Sequence, residues 1–117
     1  MDKIKSHKDL KVWQESMLLV TQIYKISENF PNHEIYGLSS QIRRAAVSIP
    51  SNIAEGAGRK GKNEFARFLY IALGSLSEVE TQLEISQRLN YIIDIENSNK
   101  SIYFIRNMLA KLIKSLK

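Results

Sequence analysis

The chain has 117 residues, 44% of them hydrophobic, which suffices for a single domain, residues 1–117, with its own core. It contains no cysteine, so a disulfide framework, a thiolate metal site and a cysteine nucleophile are excluded. The net charge of +5 is unevenly spread: residues 43–67 carry six bases against two acids, the last twelve carry four bases and no acid, and residues 68–105 carry five acids against two bases. Residues 1–42 balance to zero.

The N-terminal run MDKIKSHKDLKVWQ is charged and lacks the apolar stretch of roughly 7–15 residues that a secretory signal needs. No apolar run approaches the roughly 20 residues of a membrane span, so a soluble, cytoplasmic protein with no membrane partner is expected. Apolar residues then recur at alternating spacings of three and four, the period of helices that bury one stripe. The first predicted helix runs from about Asp9 to Asn29, with Leu10, Trp13, Met17, Val20 and Tyr24 in line, Ser6 or Asp9 as cap, and Pro31 beyond its end. The second spans about Ser39 to Ala57 with Leu38, Ile42, Ala45, Ile49 and Ile53 on one face, and Gly56 and Gly58 stop it.

That second helix carries Pro50 in its interior. Proline deletes the bond to the carbonyl of Ala46 at a cost of roughly 3 kcal/mol, so a kink is expected there, with Ser48 and Asn52 placed to bond the freed backbone groups. The third helix opens with Asn63 as N-cap and Glu64 in its first turn, places Phe65, Leu69, Ala72, Leu76, Val79 and Leu83 on its core face, and reaches about Leu89. Gly74 lies mid-helix, where it costs about 1 kcal/mol relative to Ala, and close approach by the second helix is the expected return. The fourth spans roughly Ile95 to Leu116, with Ile102, Ile105, Leu109, Leu112 and Leu116 in register. Short connections make neighbours antiparallel, and the expected fold is all-α, an up-down-up-down four-helix bundle whose second helix is kinked at a proline.

The segment Gly56-Ala57-Gly58-Arg59-Lys60-Gly61-Lys62 matches G-x-G-x-x-G and most of a P-loop, but both motifs need a preceding strand, and a P-loop needs Ser or Thr where Asn63 stands. What remains is a basic loop feeding a helix N-terminus, which suits either a phosphate or plain solvation. His7 and His33 are isolated, and Glu78, Glu80 and Glu84 lack the Glu-x-x-His partners of di-iron bundles, so no metal site, cofactor or catalytic residue is expected and the glutamates read as ion-pairing groups. Glu55 borders the apolar stripe and would need Arg43, Arg44 or Arg59 if buried. The aromatics mostly follow core spacing; Phe68, Tyr70, Tyr103 and Phe104 lie off it and leave apolar area for subunit contact.

The runs Asp9-Leu10-Lys11-Val12-Trp13, Phe30-Pro31, Tyr36-Gly37-Leu38, the stretch from Gln41 to Gly56 (QIRRAAVSIPSNIAEG) and Gly74-Ser75-Leu76-Ser77-Glu78-Val79-Glu80 resemble the bacterial 23S rRNA-intervening sequence proteins over nearly the whole chain. The resemblance implies a four-helix bundle that assembles as a ring-like homopentamer with a basic surface. It further implies kinship to the accessory protein of diversity-generating retroelements, which binds nucleic acid and a reverse transcriptase, and it implies no enzyme activity.

The resulting expectation is an oligomeric, non-catalytic module that binds structured RNA or DNA through phosphate contacts from Arg43, Arg44, Arg59, Lys60, Lys62 and Arg67. Adjacent helix residues cannot face the same way, which sets Arg43 against Arg44 and puts more weight on Arg59, Lys60 and Lys62. The alternative is a protein-interaction scaffold whose positive charge serves solubility or an acidic protein partner.

Overall fold

The computed structural model of the chain describes residues 6–117; residues 1–5, which open the charged run read above as arguing against a signal, lie outside the described residues. Four α-helices account for three quarters of it: α1 (Lys11–Ser27), α2 (Leu38–Ala57), α3 (Lys62–Arg88) and α4 (Glu96–Ser115). Single 3₁₀ turns at His7–Asp9 and Asn32–Glu34 precede α1 and α2, and there is no strand among the described residues. Each helix packs on its neighbour in sequence, and α4 closes against α1.

The core follows the 3.6-residue period closely in the last three helices. Ile42, Ala45, Ile49 and Ile53 of α2, Leu69, Ala72, Leu76, Val79 and Leu83 of α3, and Ile102, Ile105 and Leu109 of α4 are all buried. Ile113 replaces the predicted Leu112 and Leu116 as the buried residue in the last turns of α4, with those two packed at its margin. In α1 the predicted stripe is displaced by one position. Val12, Ser16, Leu19 and Ile23 face inward, while Trp13 and Val20 border the core and Met17 and Tyr24 are 40% and 41% exposed. The helix is apolar on two adjacent stripes, and the narrower stripe fits the interior because serines occupy two of its positions. Those serines bond within their own helix, Ser16 Oγ donating to the Val12 carbonyl at 2.7 Å and Ser27 Oγ to the Ile23 carbonyl at 2.8 Å.

Cap positions also differ from expectation. Ser6 accepts from the Lys8 amide and so caps the 3₁₀ turn, whereas α1 starts at Lys11 with no side-chain cap. The cap position of α3 is Gly61, with φ of 92°, and Asn63 lies inside the first turn. A left-handed φ there strains any residue with a Cβ, so glycine is the residue that allows this tight entry.

The close approach expected at Gly74 occurs instead at Gly56. A Cβ on Gly56 would lie 2.8 Å from Phe68 Cβ and 3.2 Å from the Phe65 carbonyl oxygen, so α2 and α3 touch there backbone to side-chain root. Gly74 faces open space. Nearer the middle of the seam, Ser48 Oγ and Ser75 Oγ share a 2.8 Å hydrogen bond, and Asn52 Nδ2 donates to the Ser48 carbonyl at 2.8 Å and to its Oγ at 2.9 Å. Asn52 thus serves Ser48, one turn back, and not the Ala46 carbonyl that Pro50 leaves without its bond.

A polar latch joins the α1–α2 and α3–α4 connections at one end of the molecule. Glu34 Oε1 accepts the Leu38 amide at 3.0 Å, in the first turn of α2, and Glu34 Oε2 accepts the Tyr91 hydroxyl at 2.8 Å. Phe30 stacks on the same tyrosine at 5.5 Å. The Leu38 amide and then the Tyr91 hydroxyl hold the Glu34 carboxyl below its ordinary 4.5, and the hydrogen bond to Glu34 raises the Tyr91 phenol.

Two predictions follow from the packing and the latch. Gly56→Ala should destabilise the fold by roughly 1–3 kcal/mol, because Phe68 Cβ cannot swing aside, whereas Gly74→Ala should stabilise it by about 0.5–1 kcal/mol. Urea unfolding of both variants reads the opposite signs. Because Glu34 titrates lower when folded, its contribution is present above pH about 4.5 and vanishes as the pH falls through the folded value. Glu34→Gln should therefore lower the melting temperature at pH 7 and shrink its loss between about pH 5 and 3, measured by circular dichroism melts.

Candidate nucleic-acid interface

Residues far apart in sequence meet at the end of the bundle opposite the latch. Gly56 of α2 lies against Phe65 and Phe68 of α3, the His7–Asp9 turn packs on α2, and Trp13 shares a groove with Ala54. Arg106 donates to Glu80 at 2.8 Å and to Ser77 at 3.5 Å, so the remaining turns of α4 run towards the start of α3. The same end therefore gathers Lys8, Arg59, Lys60, Lys62 and Arg67, with Lys114 and Lys117 of α4 running towards it, whereas the Lys11 ammonium lies 5.9 Å from the Phe104 ring of α4. All seven are exposed. Lys114 and Lys117 also oppose the dipole of α4 at its C-terminus.

Of the six residues predicted to bind phosphate, four share this end. Lys60 on the α2–α3 turn and Lys62 at the start of α3 are exposed and without an ion pair among the described residues. Arg59 pairs with Glu55 at 2.9 Å and Arg67 with Glu64 at 3.0 Å. Glu55 thus takes one of the three partners foreseen for it, but its side chain is 51% exposed and no buried charge is involved. The hydrogen bond from Arg67, and then the charges of Arg67 and Arg59, hold the Glu64 carboxyl below its ordinary range despite some desolvation. The same hydrogen bond raises Arg67 further. Both guanidiniums also lie over the Phe68 ring, Arg67 at 4.5 Å from the centroid and Arg59 at 5.1 Å.

Arg43 and Arg44 are elsewhere. Fifteen residues of rise separate Arg44 from Arg59, about 22 Å along α2. Arg43 Nε donates to Ser27 Oγ at 2.6 Å, its Nη2 to the Tyr24 carbonyl at 3.3 Å, and its guanidinium stacks on the Tyr24 ring at 4.7 Å. It is a strut between α1 and α2. Arg44 is exposed beside it, on the rim of a cleft of about 680 Å³ that Tyr24, Ser27, Phe30 and Ile35 also line, and it has no ion pair among the described residues.

Lys8 carried no signal in the sequence because acids balance the bases of residues 1–42; only the packing of the His7–Asp9 turn on α2 brings it to this end. Phe68, read from the sequence as lying off the core stripe and leaving apolar area for subunit contact, is instead buried at the α2–α3 junction beneath two arginines, while Phe65, placed on that stripe, is only partly buried. Tyr70, Tyr103 and Phe104, also off the stripe, are 53%, 67% and 46% exposed. No group of three or more His, Asp or Glu among the described residues could hold a metal ion, and no helix among them is long and apolar enough to cross a membrane.

The molecule is thus an all-helical, four-helix bundle. Residues 8–114 match the model of the 23S rRNA-intervening sequence protein family, and the chain belongs to that family. A crystal structure of a protein with unknown function from the S23 ribosomal protein family of Bacteroides thetaiotaomicron VPI-5482 is similar at 29% identity and a TM-score of 0.81. The match covers 88% of this chain and 95% of that one. No curated protein matches.

The two arginines of α2 should separate in a stability assay. Arg43→Ala removes a hydrogen bond to the buried Ser27 and a ring contact, and should cost about 1–2 kcal/mol in urea unfolding. Arg44→Ala should stay within about 0.5 kcal/mol of the parent.

Proposed function

We propose that this protein is a cytoplasmic, non-catalytic module that binds structured RNA or DNA at its basic end, with the contacts multiplied by assembly into a homopentamer. The observation that carries this reading is that seven exposed bases from three parts of the chain lie at or run towards one end of the bundle. Each phosphate contact releases condensed counterions, and several together produce affinity without sequence readout. Lys60 and Lys62 are the principal phosphate contacts, because nothing among the described residues neutralises them. Arg59 and Arg67 are partly offset by their glutamates, and Arg43 is committed to α1. Exposed Tyr70, Tyr103 and Phe104 supply apolar area for contact between subunits, and repetition around a ring turns weak single sites into tight binding.

A protein-interaction scaffold is the second reading, favoured by the same exposed aromatics if they meet a different protein. Fluorescence anisotropy against a structured RNA and a duplex DNA at about 50 and 200 mM salt separates the two. Binding should weaken by orders of magnitude across that range, and replacing Lys60 and Lys62 together by Ala should lower the salt slope by about 2. An unchanged slope would remove these lysines from the interface, and no binding at the lower salt would favour the scaffold.

A further inference from the structure

The arginines at the basic end are arranged for a different task from the lysines beside them. An arginine that clamps a phosphate does so with its N–H edge. In Arg67 the Nε and Nη2 edge is already turned to Glu64, at 3.0 and 3.5 Å to its two oxygens, and Arg59 Nη2 is ion-paired with Glu55 at 2.9 Å. Both guanidiniums are also held over the Phe68 ring, which is itself 8% exposed. A glutamate beside each guanidinium and the Phe68 ring beneath both hold them at this junction. The Arg59 and Arg67 side chains nonetheless remain 48% and 57% exposed.

What such a pinned, flat cation presents to solvent is a π-face, and its chemical complement is another flat, polarisable ring. Unpaired nucleobases stack on guanidinium planes, whereas bases inside a duplex have no free face. Lys60 and Lys62 lie between the two arginines in sequence, on either side of Gly61 with open space around it, and supply unpaired ammonium groups for the backbone that carries such a base. We infer that the Arg59–Phe68–Arg67 stack is a base-stacking platform, and that the ligand class of the basic end is a nucleic-acid segment with unpaired, unstacked bases. The inference rests on the nucleic-acid reading above and narrows it from polyanions in general to single-stranded or looped segments.

The test compares three labelled probes on the full chain, at matched salt concentrations of about 50 and 200 mM: a single-stranded oligo(dA), an abasic strand of the same length and charge, and a duplex. Oligo(dA) should bind about tenfold or more tighter than the abasic strand. The Arg59→Lys/Arg67→Lys double variant, which keeps both charges, should bind oligo(dA) only as well as the abasic strand while its affinity for the abasic strand and its salt slope stay unchanged. Equal binding of oligo(dA) and the abasic strand by the parent protein overturns the platform and leaves the phosphate-binding function standing, a comparison that needs no variant to fold. Binding of none of the three probes removes the platform together with the function it rests on. A double variant that retains the parent's preference for bases also overturns the assignment to these arginines.

Discussion

The contact on which the basic end depends is the approach of α2 to α3 at Gly56. Without a side chain there, the α2 backbone comes within reach of Phe65 and of the root of Phe68, and the two helices can be joined by the short turn that carries Lys60. A Cβ at this position would push α3 outwards, because the atoms it meets belong to the stem of a ring and to the backbone. The ring of Phe68 is thereby wedged at the helix junction and becomes the surface over which Arg59 and Arg67 lie. Packing and electrostatics at this end share one cause.

Charge along the 48 Å length of the bundle is organised by helix direction more than by composition. Because successive helices reverse, the start of α1, the end of α2, the start of α3 and the end of α4 come together, and these are the parts of the sequence richest in unmatched bases. The acidic stretch between residues 78 and 96 falls towards the opposite end. Much of it is consumed locally, by Glu80 with Arg106 and by Glu84 with Arg88. Exposed pairs of this kind contribute little to stability individually, but they decide which cations remain available to a ligand. Lys60 and Lys62 remain available in this sense, and Arg106 does not.

The two ends of the molecule are finished in different ways. At the latch end, one carboxylate closes the fold on itself by accepting an amide at the start of α2 and the hydroxyl of Tyr91 from the other connection. At the basic end the α2–α3 turn is left open, with a left-handed glycine and no covering side chain. A closed end spends its polar groups on itself, and an open end presents them. That asymmetry is what makes the basic end the candidate interface.

The sequence by itself determined the helix count, the approximate helix limits and the core faces of α2, α3 and most of α4, because apolar period, Pro31 and the glycines near residue 58 act locally. It did not determine which of two apolar stripes α1 would bury, since Val12–Leu19–Ile23 and Trp13–Met17–Val20 are both continuous and only the space left by the other helices selects between them. Nor could it distinguish Gly56 from Gly74, because a glycine's value lies in what approaches it. For the candidate site the sequence marked six cations, and the tertiary structure divided them: Arg43 became a strut, Arg44 stayed about 22 Å from Arg59, Arg59 and Arg67 were pinned over Phe68, and Lys60 and Lys62 stayed free of ion pairs among the described residues. Residue type fixes the charge a side chain can carry. Whether that charge faces a ligand or a neighbouring carboxylate depends on which helix lies alongside, and that is decided only when the chain has folded.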